Sequence, residues 1–409
     1  MPAENTVRFI CSENYNAPQL SNARGLLIQA LDAALVTGIP LPAINSVAVD
    51  GSTIVITFTN SHLLKLFQVV RLTGFSDAVL NNDWRIIGAP SAQKIAINRP
   101  SELSSIGGIG AAALAPLGYE KTYSATNKAA YRNAQPLAAH RPFLRVDETL
   151  DPVYSDSYAK YAKVGILKTM SHIDDLTGQQ IPFDSSAPNK NWTGTGSGSS
   201  AYNGWAKWYY ARSSTAYNGS ADTTSPGAGN RPWMIVGDER AFFIVLPMTA
   251  SDGQKIIYGF GVYEEFEHIT SPYFLASSLI YSTIGQSLDF SSSSAGAYSS
   301  PFLYSYQTAG IILFQDIGIT NQTKALTDTT TYQSGAQNVY NNNFVVQQPN
   351  FISNANYLMG AIPHLRYLLR IANDAQFTAL LKESSMFVMD RVMSAPNGGQ
   401  VAFYLGEIG

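Results

Sequence analysis

Apolar positions come in three short runs between residues 231 and 262, and the rest of the chain is read against them. The runs WMIV (233–236) and AFFIVL (241–246) flank Gly237-Asp238-Glu239-Arg240, a tight polar interruption with a glycine able to take positive φ. A third run, KIIYGFGV (255–262), follows a turn built on Ser251-Asp252-Gly253. The pattern predicts a buried antiparallel hairpin extended into a three-stranded meander. Three strands can carry a hydrophobic face where one hairpin cannot.

Upstream, Leu26, Leu27, Ala30, Leu31, Ala34 and Leu35 fall on one helical face. They predict an amphipathic helix over 22–37, capped by Ser21 or Asn22 and stopped by Gly38 and Pro40, after a short strand at 7–10. Strand-like runs at 47–49 and 53–59 meet across Asp50-Gly51, and 67–73, 84–88 and 94–97 follow. Five short strands at this spacing predict a small barrel. Further strands are expected at 143–146, 162–168, 310–315 and 344–346, with a closing hairpin of 386–393 and 401–405.

The stretches 184–230, 283–300 and 321–343 are rich in uncharged polar residues and read as long loops. The expected fold is therefore mainly β, an antiparallel sheet or sandwich body with one N-terminal amphipathic helix and an inserted small β-barrel. Residues 1–42 supply the strand and helix that pack on the body, 43–100 the barrel, 101–118 a linker, and 119–409 the body. No internal repeat is present.

Composition adds a surface argument. Charged residues make up 13% of the chain, about half the usual share of roughly 25%. Polarity comes instead from Ser, Thr, Asn, Gln and 23 tyrosines. Such a surface is weakly protected against association, and interfaces enrich Tyr and Trp while depleting Lys and Glu. A homo-oligomer, or a subunit covered by neighbours, is expected, with a soluble monomer of unusual composition as the plainer alternative. The net charge of −3, from 26 basic and 29 acidic side chains, gives no electrostatic footprint for nucleic acid. Cys11, the only cysteine, is expected as a small buried residue without an intrachain disulfide. Met1 to Asn5 lack the regions of a signal peptide and no apolar run reaches bilayer length, so cytoplasmic synthesis without membrane insertion is expected.

Candidate chemistry is sparse. His62, His140, His172, His268 and His364 lie far apart without metal-ligand spacing, and no cofactor or metal is expected. Glu264, Glu265 and Glu267 could pair for acid–base work on a glycosidic bond, or simply charge a strand end. Asp147-Glu148 and His172-Ile173-Asp174-Asp175 invite a similar hydrolase reading, but Asp174-Asp175 precede Leu176-Thr177-Gly178 and fit turn formation. The glycines at 108 and 110 lack the preceding strand of a dinucleotide fingerprint, and Ser197 lacks a nucleophile elbow. No catalytic residue is expected. The aromatic cluster Trp192, Trp205, Trp208 and Tyr209 admits three readings: stacking on glycan rings, filling pockets of a neighbouring subunit, or folding its own loop onto the sheet.

Several stretches look familiar. APQLSNARGLLIQALDAALVTGI (17–39), LGYEKTYSATNKAAYRN (117–133), FLRVDETL (143–150), AKVGILKTMSHIDDLTGQQIPF (162–183) and RPWMIVGDERAFFIVL (231–246) resemble a family of tailed-phage and prophage virion proteins. SVAVDGSTIVITF (46–58) and FQVVRLTGFSDAVLNNDWRI (67–86) resemble a small β-module of phage structural proteins, although Ser61-His62-Leu63-Leu64-Lys65 replaces its glycine-rich approach. The resemblance covers most of the chain and fades in the C-terminal third. It implies a virion component associated with the tail, baseplate or collar, partnered by other virion proteins, with no catalytic residues to carry over. A receptor- or glycan-binding module at the virion tip, touching host-surface glycan, and a capsid-decorating protein are the alternatives.

Overall fold

The computed structural model describes residues 3–103, 105–183, 188–197, 206–213, 222–250, 255–266, 272–278, 302–305, 311–315, 346–348, 350–352, 358–368, 376–392 and 399–409. Among them the chain is mainly β, with antiparallel sheets of ten, seven, six and five strands and one short helix. The turn expected at 251–253, the loops at 283–300 and 321–343, and residues 344 and 345 lie outside the described residues.

The expected meander lies in the ten-stranded sheet. Met234–Gly237 pairs with Ala241–Pro247, which pairs with Lys255–Val262, and Arg8–Cys11 flanks the first of them. Every residue of Ala241–Pro247 is buried, and successive side chains enter different cores. Phe242, Ile244 and Leu246 pack with the helix and with the seven- and six-stranded sheets. Ala241, Phe243 and Val245 pack with the C-terminal strands Ser385–Val392 and Gly399–Glu407. Ile10 and Ile235 join the first core, while Phe9, Cys11, Met234 and Val236 join the second. A strand with a core on each face has no solvent side to mark with polar residues, so it reads as a continuous apolar run. Gly237 sits at φ 153°, where a Cβ would lie 2.1 Å from the Ala241 carbonyl oxygen. Only glycine closes this hairpin. Asp238 braces the turn by accepting the backbone N–H groups of Arg240 and Ala241 at 2.8 and 3.0 Å.

The helix differs from expectation. An α-helical turn and a half, Leu26–Leu31, runs into a π-helical segment, Asp32–Thr37, and Gly38 ends it at φ 70°. Leu27, Ala30, Leu31, Ala34 and Leu35 of its apolar stripe are buried and Leu26 is half-buried. The cap is not Ser21 or Asn22: the preceding residue is Gly25 in the left-handed region, without a side-chain cap from its own segment. The inner side of the first turn packs on protein, and its acceptor comes from Glu148.

The seven-stranded sheet runs Ile39–Pro40, Ala111–Leu114, Val69–Thr73, Asp83–Ser91, Lys94–Asn98, Thr53–Phe58, Ile44–Asp50. Its hairpin sets Val47 opposite Ile56. Ala111–Leu114 comes from the stretch read as linker, because three alanines show no alternation until they pair with Val69–Thr73. Among the described pairings the path is open, from Ile39–Pro40 to Ile44–Asp50. Arg85 ties this module to both termini. Its guanidinium donates to the carbonyls of Glu4, Phe67, Val7 and Leu405 at 2.6 to 3.0 Å. Among the described residues no helix is long and apolar enough to cross a membrane.

Candidate functional site: a buried ionic face on the six-stranded sheet

The six-stranded sheet runs Gln180–Ile181, Lys160–Leu167, Phe143–Asp147, Lys128–Asn133, Tyr119–Ala125, with Lys207–Ala211 also on the Lys160–Leu167 strand. The strands Phe143–Asp147, Lys160–Leu167 and Lys207–Ala211 are buried throughout. Leu144, Val146, Val164, Trp208 and Tyr210 are among the side chains that enter the first core. The period-2 pleat sends Arg145, Asp147, Lys163 and Lys207 to the opposite face. Asp147 and Lys163 are direct cross-strand partners, as are Lys163 and Lys207.

The result is a belt of ions in the interior. Arg145 donates to Asp147 Oδ2 at 3.1 Å, to Asp174 Oδ1 at 3.0 Å and to the Ile173 carbonyl at 2.8 Å, with its guanidinium 4.5 Å from the Trp192 ring centre. The Lys163 amine meets Asp151 Oδ1 at 2.8 Å and the Trp192 carbonyl at 2.9 Å. Lys207 lies over the Tyr161 and Tyr209 rings at 4.9 and 5.9 Å. Desolvation by burial lowers the Lys207 pKa to about 8, against the pull of Asp222 and Asp151. Asp222 accepts Arg212 Nε at 2.7 Å and Tyr209 Oη at 2.6 Å. On the other side of the strand end, Glu148 accepts Gly25 N–H, Ile28 N–H and Tyr210 O–H, each at 2.7 Å.

This arrangement separates the residues that sequence set side by side. Asp147 and Glu148, a hydrolase candidate as neighbours, serve different partners, one the ion belt and the other the helix. Asp174 pairs with Arg145 and Lys128, and Asp175 accepts Ser171 and Thr177 donors that hold its carboxyl far below the usual range, so both acids build a turn. Glu264 accepts Gln348 Nε2 at 2.9 Å on a short strand, while Glu267 and His268 lie outside the described residues.

The structure places three of the four aromatic candidates in the interior. Trp192, Trp208 and Tyr209 are buried inside the chain, with exposures of 5%, 0% and 0%. Trp192 Nε1 donates to Gln180 Oε1 at 2.7 Å, and Trp208 Nε1 to the Ala276 carbonyl at 3.1 Å while its ring stacks on Tyr258. They have no open face for a sugar ring or a neighbouring subunit; they seat their own segment on the sheet. Trp205 lies outside the described residues. The signal missed was KWYYA (207–211), whose aromatic run is itself strand-like.

Among the described residues no group of three His, Cys, Asp or Glu side chains could hold a metal ion. A cavity of about 360 Å³ opens beside the belt, lined by Asn22, Arg24, Asp156, Lys160 and neighbours. Of the buried ions on this sheet Lys160 alone reaches it, and its amine is already bound to the carbonyls of Asp156 and Tyr158. Fourteen of the chain's 26 basic and 29 acidic side chains are buried among the described residues, nine of them on or beside this sheet. No known protein-family model and no curated protein matches the chain.

Proposed function

We propose that the protein is an architectural subunit of a tailed-phage virion, associated with the tail, baseplate or collar. It works through contacts with other virion proteins and with copies of itself. The observation that carries the reading is where the charge lies. The chain is poor in ions, and fourteen of those among the described residues are buried. Those fourteen are withdrawn from the outer face, which carries fewer ions than it would if every charged side chain met water, and this suits it to contacts that exclude water without stranding ions.

The same reading takes the body as a sandwich around the ten-stranded sheet and the module at 43–100, extended to Leu114, as a small barrel. In its support, Asp83–Ser91 pairs with Val69–Thr73 through its first residues and with Lys94–Asn98 through its later ones, so one bent strand serves both halves. The test is immunogold electron microscopy of purified particles with antibody against this chain. Gold at the tail, baseplate or collar is the expected result. Gold over the head would favour the capsid-decorating alternative. Particles without label, with the chain only in the lysate, overturn the reading.

A further inference from the structure

Lys163, Asp151 and Asp147 meet in the interior, with side-chain exposures of 2%, 2% and 4%. We propose that Lys163 and Asp151 condense into an intramolecular amide, a covalent tie between the Lys160–Leu167 strand and the turn that follows Phe143–Asp147. The proposal does not depend on the virion reading.

Three features of the geometry support the reaction. First, the amine is held 2.8 Å from Asp151 Oδ1, so the reacting atoms need no diffusional search. Second, Asp151 already faces fixed donors. Gly194 N–H points at Oδ1 from 3.1 Å and Tyr161 O–H at Oδ2 from 3.2 Å, and both would stabilise negative charge building on the carboxyl oxygens as nitrogen adds to carbon. Third, a second carboxylate stands by as proton carrier. Asp147 Oδ1 is 3.9 Å from the amine, and Arg145 and the Thr149 N–H hold Asp147 in place at 3.1 and 3.0 Å. Trp192 covers the site, its carbonyl taking a further N–H of Lys163 at 2.9 Å. Burial favours the product, because an amide replaces two ions whose desolvation is costly.

The chemistry balances without a co-reactant. The ammonium of Lys163 passes one proton to Asp151, leaving a neutral amine and a carboxylic acid. The Nζ lone pair then bonds to Cγ. A second amine proton travels through Asp147 to the departing hydroxyl, the Cγ–O bond breaks, and one water leaves.

The interior holds its own control. Lys255 and Asp390 are fully buried, the amine 2.7 and 2.8 Å from the two carboxylate oxygens, and among the described residues no other carboxylate lies within 4 Å of that amine, Glu13 acting on it only from further away. With no second carboxylate within proton-transfer reach among the described residues, that pair remains ionic.

Mass spectrometry of the purified full-length protein tests the proposal. The expected intact mass is one water below that of the sequence. Trypsin should leave the bond after Lys163 uncut and yield a branched peptide joining Lys163 to Asp151. Asp151→Asn should form the same amide by losing ammonia, so its product matches the wild-type mass; Lys163→Arg should give the full mass. An intact wild-type mass equal to the sequence, with cleavage after Lys163, overturns the proposal whatever the variants do. A branch at Lys255 in place of Lys163 overturns it too, and full cross-linking in Asp147→Ala removes Asp147 from the reaction.

Discussion

Glu148 closes the start of a helix that lies 120 residues before it: Oε1 accepts the Ile28 N–H at 2.7 Å and Oε2 accepts Gly25 N–H at the same distance. Burial raises the pKa of this carboxyl, against the stabilising donors from Tyr210, Ile28 and Gly25. Glu148→Ala strands the buried Ile28 N–H, at about 1–3 kcal/mol, and takes the acceptor from the partly buried Gly25 N–H at a smaller cost. A loss of about 2–4 kcal/mol in urea unfolding is expected, with Glu148→Gln losing less because one oxygen remains. An alanine variant as stable as wild type would remove the cap from this account.

Among the described residues Arg85 is bound by four backbone carbonyls and no carboxylate, and burial lowers its pKa to about 9. A lysine amine cannot span that fork. Arg85→Lys should therefore lower Tm well beyond Arg71→Lys, whose partner Asp83 it meets at a half-exposed site where such pairs contribute about 0–1 kcal/mol. Hydrogen exchange should speed up at residues 4–7 and 405 in the Arg85 variant. Equal Tm losses for the two variants would contradict this.

The Lys255–Asp390 pair joins the ten-stranded sheet to the C-terminal sheet, across 135 residues of chain. Burial raises Asp390 to about 6 and lowers Lys255. Removing one partner leaves an unpaired buried ion, so Lys255→Met or Asp390→Leu alone should cost about 3–5 kcal/mol. The double replacement should come within about 1 kcal/mol of wild type or exceed it. A double variant as weak as the worse single one would show that the pair itself holds the sheets. The raised Asp390 pKa also sets a sign. Its contribution to stability is full below about 4 and is lost as pH rises through about 6. That slope in urea stability should vanish in the double variant.

Lys207 runs the opposite way. Its folded pKa is depressed to about 8, so its contribution is present above the unfolded value of 10.5 and lost as pH falls through 8. Lys207→Met should therefore gain on wild type as the buffer is taken from pH 10.5 to 7, by up to about 3 kcal/mol. Parallel stability curves for the two proteins across that range would mean that Lys207 keeps its ordinary pKa.

Much of the fold was legible where one face or one turn decides the pattern. Ala241–Pro247 and Lys255–Val262 announced themselves as apolar runs, and the Ile44–Asp50 and Thr53–Phe58 hairpin through Asp50-Gly51. Ala111–Leu114 and Lys207–Ala211 were missed because the first has side chains too small to alternate and the second hides in a stretch dominated by Ser, Gly and Asn. Trp192, Trp208 and Tyr209 were visible as a cluster, but composition cannot say whether aromatic faces point out or in.

By itself the sequence determined the mainly β character, the positions of about half of the described strands, the turn at Gly237 and the scarcity of charge. All are local: each depends on side-chain period, on backbone freedom at one residue, or on a count. Only the tertiary structure decided that fourteen ions among the described residues go inside, that Glu148 caps a helix formed far upstream, and that Lys163 faces both Asp147 and Asp151. The partner of a buried charge depends on which strands lie side by side, and strand order is set by the fit of whole faces, which no short window of residues contains.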